Sequence, residues 1–100
     1  MTPILLQIDF PYAGPWGDEA AQAMRGLAED IAAEPGLRWK IWTESREAGR
    51  AGGIYLFDDA QAADRYLVKH TARLAGFGIG DLRALRLDVN PSLGAITRMP

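Results

Sequence analysis

The strongest constraint in this sequence is the order in which two kinds of apolar spacing follow one another along the chain. Four short segments alternate apolar and polar residues, the pattern of a strand that buries one face. Two longer segments repeat apolar residues every three to four positions, which is typical of an amphipathic helix. The predicted strands are residues 4–10, 37–44, 53–57 and 82–90, and the predicted helices are residues 18–34 and the segment from Asp58 to the glycines at 76, 78 and 80.

Turn and cap residues mark where these segments end. Glu34, Pro35 and Gly36 end the first helix, because proline restricts the residue before it and glycine permits a left-handed turn. Asp58 is predicted to cap the second helix, with Gln61 completing a capping box.

The resulting order is β-α-β-β-α-β, the split βαβ arrangement. It predicts an α+β fold, a ferredoxin-like sandwich in which a four-stranded antiparallel sheet carries both helices on one face. All 100 residues are expected to form one domain, with residues 91–100 as a short C-terminal tail.

Composition excludes several classes of function. The formal net charge is −2 and the basic residues are scattered along the chain, whereas nucleic-acid binding usually needs a basic patch. There is no cysteine, so disulfides, thiolate catalysis and Cys-ligated zinc are excluded. The single histidine, His70, rules out a multi-histidine metal site within one protomer. The first ten residues resemble neither a signal peptide nor a membrane span, so a cytoplasmic protein without membrane contact is expected.

The helices cover only one face of the predicted sheet, so the other face needs its own explanation. The purely apolar sets are assigned to the helix side, namely Leu6, Ile8, Phe10, Ile54, Leu56, Leu85, Leu87 and Val89. The uncovered side then carries Leu5, Gln7, Asp9, Lys40, Trp42, Glu44, Tyr55, Phe57, Arg86 and Asp88. Trp39 is expected in the core, although one β-bulge in its strand would exchange it for Trp42.

An uncovered aromatic surface of this size usually meets a partner. Two such faces packed together would give a homodimer enclosing a cavity lined by aromatic rings and a few polar groups, the usual composition of a small-molecule site. The alternative is a plain dimer interface without a ligand, because aromatic residues are enriched at interfaces in general.

The aromatic residues and one amide are the first candidates for a site. Trp42 and Tyr55 could stack on a planar substrate, with the tyrosine hydroxyl orienting it, or they could simply pack at the dimer interface. Phe57 belongs to the same set. Trp16 could cover the mouth of the cavity or only anchor its loop. Gln7 is suited to bind a carbonyl or a reduced oxygen species, or to make a hydrogen bond across the dimer.

The charged candidates lie on the second helix and the second strand. His70 is the one side chain that titrates near neutrality without perturbation, and it could reach the rim of the cavity together with Arg73. The alternative for this pair is packing and dipole compensation at the end of the helix. Glu44 and Lys40 could pair with each other or with the partner chain.

Several segments together resemble a known family. They are residues 5–7 (LLQ), 14–17 (GPWG), 34–45 (EPGLRWKIWTES), 51–57 (AGGIYLF), 66–74 (YLVKHTARL) and 88–90 (DVN). In this order they span nearly the whole chain and resemble the YdhR-type monooxygenases, a branch of the dimeric α/β-barrel superfamily. Asp9 departs from the less acidic residue expected there, which would change the charge preference of the cavity.

The resemblance implies a homodimer whose sheets pack face to face, related to enzymes that oxygenate small aromatic, often polyketide-like, substrates without flavin, haem or metal. The substrate-binding residues would be Trp42, Trp16, Phe57 and Arg73, and the catalytic residues Gln7, Tyr55, His70 and Glu44, with His70 or Glu44 as the base. Two alternatives stay open, a non-catalytic small-molecule-binding dimer and a haem-binding or haem-degrading protein with His70 as the iron ligand.

Overall fold

The computed structural model describes residues 2–100 as one four-stranded sheet with helices on one side. The elements are β1 (Ile4–Pro11), α1 (Gly17–Ala23), α2 (Arg25–Ala32), β2 (Leu37–Ser45), β3 (Arg50–Phe57), α3 (Ala60–Gly76), β4 (Arg83–Asp88) and α4 (Pro91–Ile96). The strand order is β2-β3-β1-β4 and every neighbouring pair is antiparallel. This confirms the predicted α+β, ferredoxin-like fold, and within a single chain the sheet is open rather than closed into a barrel.

The first predicted helix is interrupted at Met24, so residues 18–34 form two helices instead of one. Met24 has φ −103° and ψ 10°, outside the helical range, although its amide still binds the carbonyl of Ala20. The predicted stop after this region is confirmed at Gly36, which has φ +83°. A Cβ on Gly36 would lie 2.5 Å from the Cβ of Ala62, so only glycine fits.

The cap of α3 differs from the prediction by one residue. Asp59, not Asp58, is the N-cap, and its carboxylate accepts a 2.8 Å hydrogen bond from the amide of Ala62. Asp58 instead accepts a 2.7 Å bond from Nε of Arg38. With 17 residues α3 is the longest helix described, and no helix in residues 2–100 is long and apolar enough to cross a membrane.

The core lies between the helices and the sheet surface that faces them, called here the inner face. In β1 the side chains of Leu6, Ile8 and Phe10 are buried on this face, as predicted. The helices contribute Ile31, Ala62, Ala63, Tyr66 and Leu74. Alternation along β1 therefore leaves Leu5, Gln7 and Asp9 on the opposite surface.

The prediction for β3 is wrong in its phase. Tyr55 pairs with Leu6 and Phe57 with Ile4, and cross-strand partners share a face of the sheet. Both rings contact Tyr66 of α3, at centroid distances of 5.0 Å and 5.4 Å. Tyr55 and Phe57 thus point toward the helices, and the intervening aliphatic residues of β3 point away from them.

The second strand is reversed in the same way. Lys40 pairs with Tyr55 and Trp42 with Gly53, which puts Lys40, Trp42 and Glu44 on the inner face. The register shifts between Leu37 and Trp39, and Trp39 then pairs with Leu56 on the opposite surface. The suspected bulge is therefore present, and the prediction that Trp39 belongs to the core under the helices is wrong.

The last strand also presents its faces the other way round. Leu85 pairs with Gln7 and Leu87 with Leu5, and these leucines are 52% and 41% exposed. Arg86 pairs with Leu6 instead and reaches Asp64 of α3. Because β4 is an edge strand, the side chain of its arginine can pass the edge of the core and reach a helix. The prediction that the leucines of β4 face the helices is wrong.

The surface that the helices leave uncovered is called here the open face. It includes Leu5, Gln7, Asp9, Trp39, Ile41, Ile54, Leu56, Leu85 and Leu87. Ile41 is 52% exposed, like Leu85. The sheet therefore has an inner face closed by α2 and α3 and an open face that carries exposed isoleucine and leucine side chains.

The cap assignment can be tested with two neighbouring aspartates. Asp59→Ala should lower the free energy of unfolding by about 1 kcal/mol, because the Ala62 amide loses its acceptor. Asp58→Ala removes only an exposed ion pair with Arg38 and should cost a few tenths of a kcal/mol at most. Urea denaturation of both variants measures the difference, and equal losses would contradict the assignment.

Candidate functional site

A cavity of about 540 Å³ lies between the inner face of the sheet and the helices. Small-molecule sites commonly have volumes of roughly 300–1,000 Å³. The sheet and the residue that follows β1 contribute Phe10, Tyr12, Lys40, Trp42, Glu44, Ala51 and Tyr55. The helices α1, α2 and α3 and the segments next to them contribute Ala20, Met24, Arg25, Leu27, Ala28, His70, Leu74, Phe77 and Ile79. The lining is mainly apolar, with a few polar groups on the sheet side and on α3.

Aromatic rings form the sheet side of the cavity and are held by further rings outside it. Tyr55 stacks on Phe57, with centroids 6.1 Å apart, and Phe57 is completely buried. Tyr12 contacts Phe10 at 6.2 Å and Trp16 at 5.2 Å, both edge-to-face. Such packing restricts ring orientation, so the cavity presents a preformed aromatic surface.

The imidazole of His70 is buried and oriented by two neighbours on α3. It is 2% exposed and stacks on Tyr66, with centroids 5.0 Å apart. Arg73 lies with Nη2 3.0 Å and Nε 3.3 Å from Nδ1 of His70. Because guanidinium can only donate, Nδ1 is the acceptor and the neutral ring carries its proton on Nε2. Asp30 holds Arg73 in place through a 2.5 Å contact with Nη1.

The charge around His70 determines its protonation state. Burial, followed by the nearby positive charges of Lys40 and Arg73, lowers the pKa of His70 to about 3. The ring is therefore neutral at physiological pH and acts as a hydrogen-bond donor through Nε2. The expectation that His70 serves as the base is not supported by this arrangement, since its other nitrogen is already occupied by Arg73.

Two tyrosine hydroxyls meet beneath the cavity. Tyr66 donates a 3.2 Å hydrogen bond to the hydroxyl of Tyr55. Burial is the main reason that the pKa of Tyr66 rises to about 12 and that the pKa of Tyr55 rises far above its usual value. Both phenols stay protonated, and because the hydrogen bond between them uses one proton, the other remains for a further acceptor.

Lys40 brings a cationic side chain into this aromatic surface. Its Nζ lies 3.3 Å from the ring centroid of Trp42 and 4.7 Å from that of Tyr55. Burial, and after it the charge of Arg73, lowers the pKa of Lys40 to about 7. Within residues 2–100 no carboxylate lies within ion-pair distance of Nζ.

Glu44 and Tyr12 complete the polar part of the cavity. Glu44 accepts a 2.9 Å hydrogen bond from the amide of Gly17 through Oε1, which ties the start of α1 to β2. The hydroxyl of Tyr12 is buried without a hydrogen-bond partner in the described chain. Burial, together with the charge of Glu44, raises the pKa of Tyr12. The cavity thus holds a hydroxyl that a bound ligand would satisfy.

Four of the predicted site residues line this one cavity, namely Trp42, Glu44, Tyr55 and His70. Arg73 and Trp16 lie behind it, because Arg73 binds His70 and Trp16 packs on Tyr12. Phe57 supports Tyr55 from within the core.

Gln7 and Asp9 are separated from the cavity by the sheet. Gln7 lies exposed on the open face between Ile54 and Leu85. Asp9 accepts hydrogen bonds from Arg50 and Arg83 on that side. Burial acts to raise the pKa of Asp9, but the hydrogen bonds from Arg83 and Arg50 outweigh it and leave the pKa lowered. Both residues lie on the uncovered face, as assigned from the sequence, but not in this cavity, and their predicted roles remain predictions.

Sequence reasoning missed Tyr12 and the cavity position of Lys40. The signal for Tyr12 was available, because Ile8 and Phe10 precede it at spacings of two and the same alternation continues past Pro11. Lys40 and Glu44 were expected to pair with each other or with the partner chain, and within this chain Glu44 instead binds a backbone amide.

The described chain offers few side chains that could bind a metal ion or the iron of haem. No cluster of three or more His, Cys, Asp or Glu side chains suited to a metal ion occurs in residues 2–100. His70 would have to bind iron through Nε2, since Nδ1 faces Arg73. The adjacent positive charges that lower its pKa also oppose a cationic ligand there.

Comparison with known proteins gives one family match, over residues 5–100, to the family described as "Putative mono-oxygenase ydhR". No curated protein sequence matches the chain.

Solved structures similar to this chain share its fold at low sequence identity. A monooxygenase of Streptomyces coelicolor from the gene ActVA-Orf6, solved with the ligand nanaomycin D, is 18% identical with a TM-score of 0.62, covering 89% of this chain and 88% of that one. A protein of unknown function from Nitrosomonas europaea is 17% identical with a TM-score of 0.61, covering 89% and 90%. A "putative antibiotic biosynthesis monooxygenase" from Deinococcus radiodurans is 16% identical with a TM-score of 0.57, covering 87% and 92%.

The neutral state of His70 can be observed directly, because the chain has a single histidine. Its Cε1–H NMR resonance should not move between pH 8 and pH 5, since the pKa of His70 is about 3. In the urea-unfolded chain the same resonance should titrate near about pH 6.5. A midpoint near that value in the folded protein would contradict the buried neutral ring.

The same shift predicts how stability depends on pH. Below about pH 6.5 the unfolded chain binds a proton on His70 that the folded chain does not, so stability should fall as the pH drops, by at most about 1.4 kcal/mol per pH unit. Urea denaturation between pH 7 and pH 5 measures this slope. His70→Gln should lack that contribution, and an unchanged slope in the variant would contradict it.

Proposed function

Because the chain belongs to the family described as "Putative mono-oxygenase ydhR", we propose that it is a monooxygenase that binds a small aromatic, polyketide-like substrate in the cavity under α3. The observation that carries the proposal is the cavity itself, of about 540 Å³, with aromatic rings on one side and a few polar groups directed into it. We place this reaction within one chain, and not in a space enclosed by two sheets.

The proposed reaction uses dioxygen as the oxidant and the substrate as the source of all electrons, without flavin, haem or metal. Loss of a proton gives an electron-rich phenolate or enolate, which can reduce dioxygen. For a ring methylene the overall change is CH₂ plus O₂ to C=O plus H₂O. One oxygen atom enters the substrate and the other leaves as water, so the protein needs only to bind, orient, desolvate and help deprotonate the substrate.

The side chains suit these tasks in different ways. Trp42 and Tyr55 would stack on the planar ring. Nε2 of His70 is a donor for a ring oxygen, since Arg73 occupies Nδ1. The hydroxyl of Tyr55, which pairs with that of Tyr66, would be a second polar contact for the same oxygen. Glu44 and Lys40 are the cavity groups that can accept a proton. Gln7, which lies on the other side of the sheet, has no part in this mechanism.

We further propose that the protein is a homodimer joined through the open face. The support for this is the exposed aliphatic surface that includes Ile41, Leu85 and Leu87, which is unusual on a monomer. The dimer proposed here buries aliphatic residues and Trp39, and the aromatic residues of β3 stay under the helices. Two sheets packed on this side would leave each cavity intact in its own chain.

The two alternative functions, a non-catalytic binding protein and a haem protein, require different properties of the cavity. A non-catalytic binding protein would use the same rings and differ only in the absence of oxygen uptake. A haem protein would need His70 as the iron ligand, and its buried ring next to Arg73 and Lys40 gives no support to that role.

The enzyme proposal predicts oxygen uptake with an anthrone-like substrate in metal-free, flavin-free buffer. Trp42→Ala should reduce kcat/KM by about tenfold or more, the factor that corresponds to about 1.4 kcal/mol of lost ring contact. Ile41→Ala, at the adjacent residue on the open face, should leave the rate unchanged. Binding without oxygen uptake across a panel of phenols would reject the enzyme and leave a ligand-binding protein.

The dimer proposal predicts a mass of twice 10.9 kDa by sedimentation at micromolar concentration. The double variant with Ile41→Lys and Leu87→Lys should sediment as a monomer, because two buried ammonium groups oppose the contact. Val68→Lys is the control, since Val68 is 74% exposed on the outer side of α3. A wild-type monomer would contradict the proposal.

A further inference from the structure

Lys40 places its amino group in a mainly apolar cavity, and no carboxylate of the described chain pairs with its ammonium form. Its ammonium group lies against the rings of Trp42 and Tyr55. No ion pair within residues 2–100 involves it. Buried charges are normally paired, so an unpaired one that faces a cavity is a site for an anion.

The position of Lys40 depends on a glycine in the next strand. A Cβ on Gly53 would lie 2.5 Å from Cε of Lys40 and 3.1 Å from Cε1 of Tyr55. Gly53 pairs with Trp42 and Ile8 in the sheet. The absence of a side chain at this residue therefore makes the space in which the lysine stem crosses the sheet surface toward the cavity.

The groups around Lys40 add positive charge and little negative charge. From α3 it is faced by Arg73 and by the neutral ring of His70. From β3 the protonated hydroxyl of Tyr55 faces it. The one carboxylate in the cavity lining is Glu44 of β2, which is engaged with the amide of Gly17.

We propose that Lys40 is the residue that recognises an ionised ring oxygen, and that the cavity selects acidic phenols or enols over neutral aromatics of the same shape. The proposal adds a substrate class to the proposed function. It rests on that function only for the reaction that follows binding. When the ligand enters as a neutral phenol, its O–H bond breaks, the proton moves to the neutral amine of Lys40, and an ammonium–phenolate pair results. No electrons change hands in this step.

The lowered pKa of Lys40, about 7, suits this exchange, because neutral amine is available at physiological pH. Once formed, the pair gains a charge-assisted hydrogen bond in mainly apolar surroundings. A methyl ether of the same ring has no proton to give and no charge to offer. When the methyl ether binds, the amine of Lys40 would keep only the contacts with Trp42 and Tyr55 that it already makes in the empty cavity.

The test uses 4-nitrophenol, whose anion is yellow and whose neutral form is colourless, with 4-nitroanisole as the neutral analogue. Wild-type protein at pH 6 should shift bound nitrophenol toward the yellow anion and bind it about tenfold or more tighter than nitroanisole. Colourless bound nitrophenol, or equal affinities, would overturn the proposal. This arm needs no variant, so it decides the matter even where a substitution disturbs folding.

Variants then assign the effect to Lys40. Lys40→Met should abolish the preference for the anion while retaining weak nitroanisole binding, and Gly53→Ala should reduce the preference by displacing the lysine stem. Arg65→Met removes an exposed positive charge elsewhere on α3 and should change nothing. An anion preference that survives Lys40→Met would overturn the assignment. Oxygen uptake is measured separately, so anion binding without turnover rejects only the enzyme, and turnover without anion preference rejects only this inference.

Discussion

Packing between α3 and β3 determines which face of the sheet becomes the inside of this protein. Tyr55, Phe57, Tyr66 and His70 form a cluster of rings with centroids 5.0–6.4 Å apart, and each is 2% exposed or less. Truncating one buried aromatic residue typically costs about 3–5 kcal/mol, a large share of the stability of a domain this small. Once the rings of β3 face α3, strand alternation and the antiparallel register determine on which face of the sheet each of the remaining strand residues lies.

The sequence was sufficient for the order of the strands and for α3, but it missed the division of the first helix and the helix α4 within the predicted tail, and it was insufficient for the faces. The periods of two and of three to four, together with Pro35 and Gly36, predicted all four strands and the α+β fold. The faces were assigned by placing purely apolar sets under the helices. That rule works only where one face is polar, and here Leu85 and Leu87 belong to a second apolar surface while Arg86 turns toward α3. Because a shift of one residue exchanges all faces of a strand, β2, β3 and β4 were reversed together.

Four of the candidate residues lie in one cavity despite this reversal, for a physical reason. Trp42 and Glu44 are two residues apart on β2, and Trp42 pairs with Gly53, which is two residues from Tyr55 on β3, so these side chains share a face whichever side of the sheet it is. Gln7 lies on the other face because β1 was assigned to the correct side, which put it out of phase with the other strands. Periodicity in the sequence does not predict how a helix packs across the sheet. That His70 lies over the same rings, and that Arg73 occupies one of its nitrogens, depends on how α3 crosses the sheet.

The electrostatics of the site follow from burial and from one residue that cannot lose its charge. Burial is the larger cause of the lowered pKa values of His70 and Lys40, because it disfavours their charged forms. Arg73, which stays protonated at any physiological pH and is held beside His70 by Asp30, adds repulsion in the same direction, so the imidazole stays neutral and the lysine gives up its proton unusually easily. An anion in the cavity reverses this balance, because it lowers the cost of protonating Lys40. For the substrate class proposed here, Lys40 and Arg73, which help to keep His70 neutral, also favour the ionised form of an acidic ring. The acidity of the ligand therefore matters to binding as much as its shape.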